Sequence, residues 1–217
     1  VSIMSLINIF IIYKLKLKIN GALIAAIFTI TGFSFFGKHV YSFWPMYLGG
    51  YLYTRYHNIE FKNILVTIMF STSLAPIVTE ISFGNHIPLF SGIPMGITLG
   101  TALGFVITPI AAHMNKFHDG YNLYNIGFTA GILGSIIYSL MKEFGITIEK
   151  QKIISTEYDF FFKVLLSVFF IFLIVLGFIV NNKSFKGYTK ILQYSGRLVT
   201  DYTQLAGFGL TLVNMGI

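Results

Sequence analysis

The sequence predicts an all-α integral membrane protein with about seven transmembrane or re-entrant helices and a glycine-rich, tightly packed core. Three observations carry that expectation. Hydrophobic residues make up 55% of the 217 and charged residues 11%, against roughly 25% charged in soluble domains. Apolar runs of helical length recur along the whole chain, and a bilayer span takes about 20 residues. Glycine returns at every fourth position from Gly92 through Gly96 and Gly100 to Gly104. Mean hydropathy is +0.75, and a soluble domain of this size could not cover so much apolar surface.

The runs in chain order are residues 2–13, 20–36, 40–54, 63–81, 88–112, 121–141 and 158–181, with an eighth opening near Thr203. Runs 2–13 and 40–54 are short, as truncated, tilted or re-entrant helices are. In run 63–81, Pro76 has no N–H for the helical ladder, and the neighbouring Ser and Thr can satisfy the groups it frees. Run 88–112 carries the glycine series, which falls on nearly one helical face. Each glycine costs roughly 1 kcal/mol of helix propensity against Ala, so a compensating gain is expected. In lipid that gain is close backbone approach by a second helix. Pro94, Pro109, Thr98, Thr101 and Thr108 make run 88–112 equally readable as one helix or as two half-helices around a break. Asp119 and Gly120 precede run 121–141, with Asp119 expected as its N-cap. Run 158–181 is nearly pure Phe, Leu, Ile and Val, a lipid-facing pattern.

No linker or charge block divides the chain, so residues 1–217 read as a single membrane domain. Both ends look cut. The tail with Gly207, Gly209 and Asn214 has the texture of the opening segment, which suggests one period of a longer, internally repeated transporter-like fold. The net charge is +7, but the basic residues lie between apolar runs and form no phosphate-binding stripe. No nucleic-acid partner is expected. Ten of the fifteen Lys and Arg fall in alternate connections: Lys14, Lys16, Lys18, Arg55, Lys62, Lys116, Lys183, Lys186, Lys190 and Arg197. That bias places those connections in the cytoplasm. The other connections hold Lys38, Lys142, Lys150, Lys152 and Lys163. Lys14 to Lys18 alternates lysine and leucine, which reads either as a face for anionic lipid or as a snorkelling stop signal. Richness in Ile, Phe, Lys, Asn and Tyr suggests AT-biased coding, hence a prokaryote and its cell membrane.

The densest polar stretch runs from His113 to Asn125. Tyr121, Asn122 and Asn125, together with His118, Thr101 and the distant Asn214, are candidate solute-binding residues. His113, Asp119 and Glu80 are candidates for holding a proton or cation, since ionisable groups near spans are costly and often functional. Satisfied interface histidines and a capping aspartate explain the same residues structurally. His113 and His118 are five apart, unlike a zinc-binding helix pair. Cysteine is absent. No metal and no cofactor are expected. Phosphate loops, nucleophile elbows and zinc-protease helices are also absent from the sequence.

The stretch bearing Gly92, Gly96, Gly100, Gly104, Pro109, His113, His118, Gly120, Tyr121, Asn122, Tyr124, Asn125, Gly127, Phe128 and Gly131 resembles an uncharacterised prokaryotic membrane family, domain of unknown function 1576. That resemblance implies no known activity. Tyr121 to Gly127 after Gly100-Thr101 is also broadly similar to a helix-opening segment of urea channels, and Thr211 to Gly216 to their paired-Asn segment, with one Asn and no Pro here. This likeness implies that Asn122, Asn125 and Asn214 belong to solute-binding half-helices. The expected function is a transporter or channel for a small polar solute, with homo-oligomers among its partners. The alternatives are an intramembrane enzyme using His113, His118, Asp119 and Glu80, and a scaffold subunit that transports nothing.

Overall fold

The structure is a computed structural model that describes residues 2–36, 38–119, 124–146, 148, 156–194 and 201–217. Among the described residues it is helical, with no strand. The chain divides into two compact units, residues 1–147 and 148–217.

The first unit holds α1 (Ser2–Lys14), α2 (Gly21–Ser34), α3 (Val40–His57), α4 (Leu65–Ser71), α5 (Ala75–Phe83), α6 (Leu89–His118) and α7 (Asn125–Glu143). Asn20 caps α2 by accepting from the Leu23 N–H at 2.9 Å. Asn58 ends α3 in the left-handed region, at φ 53°. The core gathers Ala26, Ile30, Met46, Leu65, Ile68, Met69 and Ile107, all fully buried.

Helices α5 and α6 run antiparallel, and α3 runs parallel to α6. The glycines record this. A Cβ on Gly92 would lie 2.9 Å from the Ile81 carbonyl oxygen, and one on Gly96 2.8 Å from that of Val78. One turn further, a Cβ on Gly100 would stand 2.7 Å from Val78 Cγ2 and 3.0 Å from Pro45 Cβ. On Gly104 it would meet the Met46 backbone, with Cα at 2.7 Å. From the other side, a Cβ on Gly49 would run into the Thr101 carbonyl and lie 2.7 Å from the Phe105 nitrogen. Backbones that close leave no room for any side chain.

Two proline sites behave differently. Helix α6 is continuous for 30 residues through Pro94 and Pro109, so of the two readings open in the sequence the unbroken helix is the observed one. The discontinuity lies before Pro76. Helix α4 ends at Ser71, Thr72–Leu74 form a 3-10 turn, and α5 restarts at Ala75. Thr72 is the residue whose carbonyl Pro76 would serve in an α-helix. Without that N–H, the Ala75 N–H turns to the Thr72 carbonyl instead.

The second unit holds α8 (Asp159–Val180), α9 (Tyr188–Leu192), α10 (Tyr202–Ala206) and α11 (Phe208–Gly216). Helices α8 and α11 pack antiparallel through glycine: a Cβ on Gly177 would lie 2.5 Å from the Gly209 carbonyl, and one on Gly216 2.7 Å from that of Phe170. Most of α8 is exposed apolar surface. By length and composition three helices can cross a membrane: Leu65–Phe83 taken as one, Leu89–His118 and Asp159–Val180. Helices α1 and α2 are apolar but shorter, at 13 and 14 residues.

Candidate functional site: a buried lysine at a broken helix

The turn between α2 and α3 has a tight frame. Phe35 N–H donates to the Gly32 carbonyl at 3.1 Å and Phe36 N–H to that of Phe33 at 3.0 Å. Ser42 then closes the start of α3, its hydroxyl accepting from the His39 N–H at 3.2 Å and donating to the His39 carbonyl at 2.9 Å. Lys38 sits between these two fixtures. Its side chain turns back into the bundle rather than out, and the residue is 3% exposed.

The Lys38 ammonium donates to the Thr72 hydroxyl in a short hydrogen bond. The Thr72 hydroxyl in turn donates to the Met69 carbonyl at 2.5 Å. The Phe33 ring lies 5.7 Å from the amine, within cation–π range. Among the described residues no carboxylate stands within salt-bridge distance of it. Lys38 belongs to the α2–α3 connection, outside the spanning helices, and burial pulls its ammonium down from 10.5 to about 7. The cause is desolvation of the charged form. An ammonium has three donors, and the one partner resolved here is a neutral hydroxyl. The sequence grouped Lys38 with loop charges that set topology. Lys38 does lie in that connection; what its loop position did not disclose is that the short turn folds the amine inward against the break.

The other sequence candidates lie elsewhere. His118 and Asn125 do come together: His118 Nε2 pairs with Asn125 Oδ1 at 2.7 Å, and the Asn125 amide donates to the Ala111 carbonyl at 2.8 Å. The amide thus laces the end of α6 to the start of α7. The ring of His118 also meets Phe128 edge-on at 5.6 Å. Tyr121 and Asn122 lie outside the described residues. Asp119 closes the end of α6 in the left-handed region, φ 49°, while Tyr124 precedes α7; the expected N-cap is a C-cap. That reversal follows from α6 running six residues past its apolar stretch. His113 is exposed, with Nδ1 on the Pro109 carbonyl at 2.8 Å.

Glu80 is away from the break, near the end of α5, where Oε1 pairs with His86 Nε2 at 3.1 Å. Ile81 is level with Gly92, and the 26 residues from there to His118 rise about 39 Å. Glu80 and His118 therefore share no site. The Thr101 carbonyl faces Gly49 of α3; among the described residues its buried hydroxyl has no hydrogen-bond partner, and neither do those of Ser73, Thr79 and Thr108. Asn214 lies in the second unit, where its Oδ1 accepts from the Tyr188 hydroxyl at 3.2 Å.

The sequence did carry one signal for Lys38. It is the lone cation of an aromatic stretch, with Phe33, Phe35 and Phe36 before it and Tyr41 and Phe43 after it. Among the described residues no group of three metal-ligating side chains converges.

No curated protein and no solved structure matches the chain. One family model does, that of the Protein of unknown function (DUF1576), over residues 1–143 and 180–217. The matched stretches hold the lysine, the broken helix and the whole glycine series, and they flank α8. On that coverage the chain belongs to the DUF1576 family.

Proposed function

We propose that the chain is a multi-pass protein of the cell membrane that moves a small polar solute, with the α4–α5 break and the Lys38 amine as its working centre. One observation carries the reading: the amine of a residue 3% exposed, with no carboxylate beside it among the described residues, ends on a hydroxyl at a break in an apolar helix. Ionisable groups inside apolar bundles are costly and mark solute and ion pathways. Interrupted helices line such pathways because they offer polar groups at depth.

The chemistry follows from the donor count. The Thr72 oxygen occupies one N–H of the amine. A solute oxygen can take the others, and a solute with a carboxylate takes them best. The glycine series of α6 supports the reading from behind. It holds α6 backbone-to-backbone on α3 and α5 and provides a rigid seam against which a segment with weaker local hydrogen bonding can move.

Uptake by the purified protein in liposomes tests this. Labelled urea, ammonia, small carboxylic acids and amino acids form the panel. At least one enters faster than into empty vesicles, with the acids as the leading class. Flux of none of them overturns the reading.

A further inference from the structure

A second feature lies at the lysine-rich end of α1. Helices α1 and α3 run parallel here, pinned by the Tyr47 hydroxyl on Asn8 Oδ1. Beside that pin they leave an open groove of about 430 Å³, walled by Phe10, Ile11, Trp44, Leu48, Tyr51 and Phe61, with Lys14 at its rim. Trp44, Leu48 and Tyr51 recur at helical spacing on one face of α3, and all three are exposed. The surface is almost wholly apolar, with the Lys14 cation on its lining, and further cations follow Lys14 in the chain. Leu15 and Leu17 turn into the core while Lys14, Lys16 and Lys18 stay exposed. Arg55 and Lys62 belong to the same end of the unit. Glu60, the nearby carboxylate, is held by Lys62 at 2.5 Å.

We propose that this groove binds an anionic phospholipid, with one acyl chain along the aromatic wall and the phosphate on Lys14, Lys16 and Lys18. Charge complementarity selects the occupant. A zwitterionic lipid fits the wall equally well but gains less at the mouth, where each basic side chain near a membrane surface favours an anionic headgroup. Tryptophan and tyrosine suit this depth, since their rings tolerate both hydrocarbon and headgroup. The site is independent of solute movement and of Lys38.

Trp44 is the single tryptophan of the chain and sits in the groove wall, so it reports occupancy directly. The protein is placed in bilayers of phosphatidylcholine with a minor fraction of phosphatidylglycerol, and either one lipid or the other carries brominated chains. The expected result is stronger quenching of Trp44 by the brominated anionic lipid than its mole fraction gives, a preference of roughly five-fold or more. Replacing the three lysines together by glutamine removes the preference, and replacing them by arginine keeps it. Equal quenching by the two brominated lipids overturns the proposal. So does a preference that survives in the glutamine variant or vanishes in the arginine one.

Discussion

A lysine buried without an acid costs stability, and Lys38 makes that cost measurable. Lys38→Met keeps the aliphatic stem and removes the charge. Such replacements of buried ions are often neutral or stabilising by about 1–4 kcal/mol. Thermal unfolding in detergent should therefore show the variant at or above the parent near neutral pH, a direction opposite to that of most core substitutions. The pH dependence has a definite sign. The folded state holds the Lys38 proton less tightly, at about 7 against 10.5. The unfolded chain binds more protons in that interval, so native stability rises with pH across it. The gap between parent and Lys38→Met should close between pH 7 and 10. A constant gap would contradict the burial. Thr72→Val tests the partner: it strips the amine of its resolved acceptor, a loss of about 1–3 kcal/mol, whereas Thr72→Ser keeps the hydroxyl and stays near the parent. The aromatic stretch around Lys38 is the one sequence signal for it, and that signal does not give the direction of the side chain. A lysine between two apolar runs looks like any topology signal, and only the tertiary fold decides whether its stem points out or in.

At the scale of elements, the glycines of α6 are not equivalent to those of α7. Gly104→Ala places a methyl against the Met46 backbone, where nothing flexible can yield. A loss of about 1–3 kcal/mol or more is expected in chemical or thermal unfolding. Gly131→Ala meets nothing within 4 Å and should stabilise by about 0.5–1 kcal/mol through helix propensity. The reverse order would remove the seam from the account. Helix positions were largely legible. Run 63–81 became Leu65–Ser71 plus Ala75–Phe83, and run 88–112 became Leu89–His118. The extra turns of α6 were missed because hydropathy falls at His113 while helix propensity does not; a left-handed residue, Asp119, stops the helix instead. Pro76 was correctly read as disruptive. Its effect is specific because it leaves the Thr72 carbonyl to Ala75, whereas α6 absorbs Pro94 and Pro109 without a break. Proline count alone does not separate those two outcomes.

For the whole molecule, the polar cross-links of the first unit share a pattern. Ser5 with Thr31, Asn8 with Tyr47, Lys38 with Thr72, Tyr41 with Ser82 and Asn125 with His118 each pair separate segments. Interhelical bonds of this kind set helix register in lipid, where apolar burial gives little preference between neighbours. Four of the five are bonds between neutral groups or a histidine, and the lysine stands apart as a charge. Polar residues crowd at the bend after α6, from His113 to Asn125. The structure spends His118 and Asn125 on holding two helix ends together. Local density of polar residues was legible, but depth in the bundle was not, and depth is what makes the Lys38 amine unusual.

The most direct measurement is therefore flux through the parent and Lys38→Met in liposomes at matched protein content. Solutes of the transported class are compared with and without a carboxylate. Loss of one charge-assisted hydrogen bond should lower carboxylate uptake by roughly tenfold or more, in a variant that remains folded and at least as stable. Unchanged uptake by Lys38→Met would contradict the account, for it would leave the buried amine with no part in moving solute.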